Sequence, residues 1–114
     1  MRIKEAIARA DKLRPNTIDD AQKAAWIYEI EGKLAETMKT EAPERLWPED
    51  QELSMPSPYD NIYALYIMAM ADFANMETDE YTNDMTVFNA AYAEAVAWWR
   101  RHHRPKQFQN WRTM

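Results

Sequence analysis

The chain has 114 residues, a formal net charge of −5 and 46% hydrophobic residues, enough for one domain with its own core. It contains no cysteine, which excludes disulfides, thiol catalysis and cysteine zinc sites. Its single glycine excludes the glycine-rich loops that hold phosphates and dinucleotides. The longest apolar run, residues 62–71, is much shorter than the roughly 20 residues of a membrane span, so a soluble protein without membrane contact is expected.

The charges are divided between an acidic body and a basic C-terminal segment. Residues 46–99 contain no Lys or Arg, whereas residues 98–114 contain no acid. The basic residues of that segment are Arg100, Arg101, Arg104, Lys106 and Arg112. Such a division is typical of an interaction segment, and an acidic body favours a protein partner over DNA.

Two helices are predicted in the first 39 residues. Residues 1–13 have apolar side chains at helical spacing and are followed by Pro15. Residues 15–39 begin with Asn16 or Thr17 as a predicted N-cap, and acids follow in the first turn, where the helix dipole favours them. The predicted buried stripes are Ile3, Ile7, Ala10 and Leu13 in the first helix, and Ile27, Ile30, Leu34 and Met38 in the second.

A second face of the second helix carries small residues. Ala21, Ala25 and Gly32 lie on this face, and small side chains let another backbone approach closely. Two partners are possible, another helix of the same chain or a second copy of the protein.

The third helix follows a loop over residues 40–57. Ser57 is its predicted N-cap, with Pro58 in the first helical position and Asp60 completing an arrangement like a capping box. The helix is apolar around most of its circumference, with a stripe that runs on to Phe73 and Met76. It is therefore expected to lie at the centre of the domain or to be shared with a neighbouring subunit.

The fourth helix is the longest, over residues 80–104, with Thr78 as its predicted N-cap and Pro105 after its end. Its apolar stripe ends at Trp99, which is expected in the core, and Trp98 is expected to be half-exposed or in an interface. The link to the third helix is short, which predicts an antiparallel pair. The predicted fold is thus an all-α four-helix small bundle, with a long antiparallel αα-hairpin formed by the last two helices. It comprises a single domain over residues 1–104 and a basic aromatic tail over 105–114.

No catalytic, cofactor or metal site is predicted. The adjacent His102 and His103 point about 100° apart on a helix, unlike the i, i+4 pairs that ligate metals. Asp72 is the only charged residue between Asp60 and Glu77, in a helix predicted to be buried. A buried carboxylate needs a partner or a raised pKa, so Asp72 is the candidate buried polar residue. An N-terminal Lys or Arg, or a tyrosine hydroxyl, is its expected partner; a catalytic role for Asp72 is the less favoured alternative.

The C-terminal segment contains the candidate interface. Basic residues in a last helical turn suit the helix dipole, but basic residues among aromatics could also follow a nucleic-acid backbone. Binding of nucleic acid is the alternative, and contact with protein the preferred interpretation. The candidate interface residues are Trp98, Arg100, Arg101, Arg104, Phe108 and Trp111.

Several segments resemble small all-helical proteins of the structural modules of Firmicute prophages and tailed phages. These are "AQKAAWIYEIEGKL" and "MPSPYDNIYALYIMAMADFANMETDEYTNDMTVFNAAYAEAVAWWRR", in which Pro58-Tyr59-Asp60 and Asp72-Phe73-Ala74-Asn75 are the most specific parts. The resemblance implies a head–tail connector or head-completion protein that forms a homo-oligomer and contacts portal or tail proteins. It also implies a location in the cytoplasm of the bacterial host during assembly and then in the virion. It brings no cofactor and no catalytic residue.

Overall fold

The structure is a computed structural model that describes residues 1–38 and 52–102. Four helices follow one another: α1 (Ile3–Leu13), α2 (Asp20–Met38), α3 (Asn61–Ala74) and α4 (Thr78–His102). The described ranges contain no strand, and their extended pairing is an isolated bridge between Arg2 and Glu52. The predicted all-α fold of four helices is confirmed. None of the described helices is both long enough and apolar enough to cross a membrane.

Helix α3 lies at the centre of the bundle and contacts the other three helices. Its position follows from its composition, because a helix that is apolar on most sides must bury most of its circumference. Ile62, Tyr63 and Ile67 are fully buried within it. Of the two positions considered for this helix, the structure shows the centre of the domain.

Helices α3 and α4 form the predicted antiparallel hairpin, joined by residues 75–77. Aromatic pairs between the two segments run in opposite order along the chain, as antiparallel helices require. The ring centroids lie 5.1 Å apart for Tyr59 and Trp98, 5.0 Å for Tyr66 and Phe88, and 5.4 Å for Phe73 and Tyr81.

Helix α2 begins later than predicted. The backbone N–H of Gln22 donates to the Asp19 carboxylate at 2.9 Å, so Asp19 is the residue that caps it, and the prediction of Asn16 or Thr17 was wrong. Asn16 has a different task, because its side-chain oxygen accepts a hydrogen bond from the Ile18 N–H at 3.0 Å. It thereby stabilises a turn before the helix.

Helix α3 begins at Asn61, after a turn over residues 57–60 that includes a cis Ser57–Pro58 peptide bond. The predicted cap at Ser57 was therefore wrong, and Asp60 occupies the capping position without a side-chain hydrogen bond to the helix. The Asp60 carboxylate instead lies 3.7 Å from the Met1 ammonium group. Thr78 is the first residue of helix α4, so the predicted N-cap at Thr78 was wrong and the capping position lies before it.

A buried lysine forms an ion pair that joins α1 to α2. Lys23 is 2% exposed, and its ammonium group lies 2.7 Å from the Asp11 carboxylate and 4.0 Å from that of Asp20. The predicted stripe of α1 is buried at Ile3, Ile7 and Ala10, whereas Leu13 at the helix end is 59% exposed. The core therefore ends before α1 does.

Candidate interaction surface

An apolar surface lies where α3 turns into α4. We call it the hairpin tip; it is a groove of about 640 Å³ lined by Phe73, Ala74, Met76, Glu77, Thr78 and Tyr81. Phe73 is 62% exposed and Met76 is 89% exposed, although the sequence had placed both on the buried stripe of α3. This prediction was wrong because the end of α1 meets the hairpin at Asp72, through Arg14, and the last turn of α3 extends further.

Met76 occupies an unfavourable backbone conformation at this tip. Its φ is 59°, in the left-handed region, and it follows the C-cap residue Asn75. The Met76 N–H donates to the Phe73 carbonyl at 3.1 Å and the Glu77 N–H to the Asp72 carbonyl at 2.9 Å, the pattern of a Schellman cap. Glycine is the usual residue at this position, and a side chain there costs about 1 kcal/mol. Because the Met76 side chain is exposed, little packing within the chain offsets that cost.

The hairpin tip is surrounded by acids. Glu77, Asp79 and Glu80 are all exposed, and no ion pair within residues 1–38 and 52–102 includes them. The N-terminal dipole of α4 stabilises acids at this place. The surface therefore combines an apolar groove with a negative rim.

Asp72 is buried directly beneath this tip, at 1% exposure. Arg14 bridges two carboxylates, with one guanidinium nitrogen 3.3 Å from Asp72 Oδ1 and the other 2.9 Å from Asp84 Oδ2. Asp72 Oδ2 is buried and has no hydrogen-bond partner among the described residues. Burial, together with the neighbouring Asp84 carboxylate, raises the pKa of Asp72 to about 7, against the opposing effect of Arg14.

Asp72 pairs with Arg14, and an arginine of the N-terminal segment is one of the partners that the sequence suggested. Two carboxylates that share one arginine can also share a proton, which makes the site sensitive to pH. Asp72 does not line the groove of the hairpin tip. The arrangement joins α1, α3 and α4, and it gives no direct support to the catalytic alternative.

The basic end of α4 lies at the opposite end of the hairpin. Arg100 and Arg101 are exposed there. Trp98 is half-buried, stacked on Tyr59 at 5.1 Å and next to His102 at 4.9 Å. Trp99 is half-buried and does not join the buried core, so its predicted core position was wrong. Trp98 rather than Trp99 packs against the core, because Tyr59 in the chain before α3 stacks on Trp98.

The other candidate interface residues are Arg104, Phe108 and Trp111, which lie outside the described residues, as does His103. Their interface role stays a prediction from the sequence. Within the described ranges, no group of three or more His, Asp or Glu side chains could hold a metal ion.

The face of α2 with small residues is not closely packed by the described residues at Ala21, Ala25 and Gly32. Ala21 is exposed, and Ala25 and Gly32 are half-buried. A Cβ atom on Gly32 would meet no atom of another element within 4 Å. Close packing inside the described chain is therefore absent at Gly32, and contact of this face with a second copy stays a prediction.

A buried network around Glu31 was missed by the sequence analysis. The Glu31 carboxylate is 2% exposed and accepts the Tyr63 hydroxyl at 2.5 Å, the Ser54 hydroxyl at 2.7 Å and the Ser54 N–H at 3.1 Å. The Tyr63 hydroxyl in turn accepts the Met55 N–H at 3.0 Å, and burial raises the pKa of this hydroxyl. The signal was available, because Glu31 lies at helical spacing from Ile27 on the apolar stripe.

The network anchors residues 53–55 to α2 and α3, and all of its polar atoms named above have partners. It has the character of a structural element rather than of a binding site.

Comparison of the chain with protein-family models, with curated proteins and with solved structures found no match.

Proposed function

We propose that this protein is a structural adaptor of phage virion assembly, of the head–tail connector type, that acts by protein–protein contacts in a homo-oligomer. The observation that carries the proposal is the polarity of the α3–α4 hairpin. One of its ends has an exposed apolar groove with an acidic rim, and the other has the exposed Arg100 and Arg101. Surfaces that differ in this way suit heterologous contacts, which close into rings when the rotation permits.

The resemblance to prophage structural proteins supplies the biological setting of the proposal. Portal or tail proteins are the proposed partners, with assembly in the host cytoplasm and incorporation into the virion. The acidic rim and exposed apolar side chains favour recognition of protein over nucleic acid.

Three measurements test this function together. Light scattering over a wide concentration range should show a mass above that of one chain. The purified protein should also bind the portal or a tail protein of the same prophage, and antibodies should detect it in purified virions. A monomer that binds neither partner and is missing from virions would contradict the proposal.

A second candidate function is that of an accessory protein in DNA packaging that binds nucleic acid through the C-terminal segment. The exposed Arg100 and Arg101 favour it, together with Arg104 in the adjoining sequence. It requires binding to duplex DNA that weakens steeply with salt and is lost when these three residues are replaced by Gln. Unchanged binding in that variant would exclude this role for the segment.

A further inference from the structure

We propose that the segment 103–114 of one copy docks onto the hairpin tip of a second copy, with Phe108 and Trp111 as its apolar anchors. This inference rests on the self-association in the proposed function and specifies how the copies join. The segment lies outside the described residues; its sequence and the surface that receives it support the docking.

The first step is the surface itself. The rings of Phe73 and Tyr81 lie 5.4 Å apart, and the exposed Met76 borders the same groove. Aromatic and methionine side chains in a shallow groove are the groups that most often accept aromatic anchors in protein interfaces. Met76 also keeps a side chain at a position where the backbone favours glycine. Because the described residues leave the Met76 side chain exposed, a local cost of this kind indicates a contact with another part of the chain or another molecule.

The second step is charge. The rim of the tip presents Glu77, Asp79 and Glu80, all exposed. The segment carries Arg104, Lys106 and Arg112 and no acid. Opposite charges thus surround an apolar contact on both partners, which favours this pairing and speeds encounter.

The length of the segment decides whether it can dock onto the tip of its own copy or only onto the tip of another copy. At 1.5 Å per residue, the backbone of His102 lies about 31 Å from that of Tyr81 along α4. Phe108 follows six residues after His102 and reaches at most about 21 Å, even in an extended chain. Trp111 reaches about 32 Å at most, and only if the chain runs fully stretched along the helix. One copy therefore cannot place both anchors on its own tip.

Docking between copies is consequently head-to-tail. Each copy offers one segment and one tip, so the contact is heterologous and can continue from copy to copy into a ring or an open chain. The contact also predicts a specific behaviour in mixtures of variants, because donor and acceptor lie on different parts of the molecule.

The deciding experiment mixes two variants that each lack one half of the contact. The first ends after His102 and has no segment to donate; the second, Phe73→Ser with Met76→Gly, has a damaged tip. Sedimentation should show that the wild type self-associates and that each variant alone is monomeric. The mixture should form a one-to-one heterodimer that grows no further, because it retains one intact donor and one intact acceptor.

Single changes quantify the contact and control for folding. Trp111→Ser or Met76→Gly should weaken self-association by about tenfold or more, as expected for a central anchor. Val87→Thr is the matched control, because Val87 is 52% exposed on α4 away from the groove, and it should leave association unchanged. Far-UV circular dichroism establishes that each variant is folded, and Met76→Gly serves if the double variant does not fold.

The outcomes separate this inference from the proposed function. If the wild type associates and the chain ending at His102 associates equally well, the docking is refuted while self-assembly stands. If both variants are monomeric and their mixture stays monomeric, head-to-tail docking is also refuted. A wild type that remains monomeric at every concentration refutes the docking and the homo-oligomer together.

Discussion

The two ends of the α3–α4 hairpin differ in how completely their polar groups are satisfied. At the base, where α3 begins and α4 ends, the Glu31 carboxylate accepts three hydrogen bonds and the Tyr63 hydroxyl takes part in two. At the tip, Asp72 shares Arg14 with Asp84 and leaves one buried oxygen without a described partner.

The apolar groups differ in the same sense. Tyr59 and Trp98 stack at the base, whereas Phe73 and Met76 are exposed at the tip. The base therefore fixes the fold, whereas the tip keeps apolar side chains and a buried carboxylate oxygen that the described residues leave without partners. Such a region is where a partner can gain free energy by binding, because it can cover apolar side chains that the described residues leave exposed.

The largest expected effect is at the base. Glu31→Ala should lower the free energy of unfolding by about 3 kcal/mol, because it removes an acceptor shared by three hydrogen bonds and leaves the Tyr63 hydroxyl buried without it. Urea denaturation measures the change. Glu29→Ala is a matched control two residues away, since exposed Glu29 accepts one hydrogen bond among the described residues, from the Tyr66 hydroxyl, and the change should cost less than about 1 kcal/mol. Equal losses in the two variants would contradict the difference drawn between these carboxylates.

The second effect is a pH dependence at the tip. The pKa of Asp72 is raised from 3.8 to about 7, so the folded state binds this proton more tightly than the unfolded state. Its contribution to stability is full below the unfolded pKa and is lost as the pH rises through the folded one. Asp72→Asn should remove a fall in unfolding free energy on the order of 3 kcal/mol between about pH 4 and 7.

Denaturation at a series of pH values measures this slope for the wild type and the variant. Glu94→Gln, a change at an exposed carboxylate in the middle of α4, should leave the slope as it is in the wild type. A wild-type slope retained in Asp72→Asn would show that another group titrates in this range.

A smaller effect concerns the cap of α3. Met76→Gly should raise the free energy of unfolding by about 1 kcal/mol, because glycine adopts the left-handed conformation without strain. Met76→Ala should give no comparable gain, since alanine keeps the Cβ atom that causes the strain. Thermal denaturation compares the two, and an equal gain for alanine would mean that the exposed side chain, not the backbone, is responsible.

The smallest effect is expected in α2, next to the base of the hairpin and its hydrogen-bonded Glu31. Gly32→Ala should raise the free energy of unfolding by about 0.7 kcal/mol, because the new methyl group meets no atom of another element within 4 Å and alanine favours the helix. The same thermal measurement applies. A gain in stability accompanied by weaker self-association would identify this face of α2 as a contact between copies.

Much of the fold could be predicted from local patterns. Apolar spacing predicted four helices and their order. The short link predicted the antiparallel hairpin, because helices joined by few residues pack side by side in opposite directions. Helix starts were predicted less well, because several residues that can cap lie close together before α2 and α3. Asp19 rather than Asn16 caps α2, because the Asn16 side chain already accepts the Ile18 N–H in the preceding turn.

The candidate site was predicted only in part. Asp72 stood out because one charge in an apolar helix is visible in the sequence, but its sharing of Arg14 with Asp84 joins residues far apart in the chain. The groove of the hairpin tip was missed, because Phe73 and Met76 continue the apolar stripe of α3 and periodicity alone predicts their burial.

Local sequence patterns were enough to predict the all-helical class and the separation of acidic from basic residues, and they left two positions for the most apolar helix, the centre of the domain or a contact between subunits. These properties follow from local composition and period. Helix packing in space, which the sequence pattern does not show, ends the core before the hairpin does and leaves Phe73 and Met76 exposed. It also gives hydrogen-bond partners to both oxygens of Glu31 but to one oxygen of Asp72 among the described residues. Burial at a given position depends on where the neighbouring helices stop, and that is a property of their packing in space.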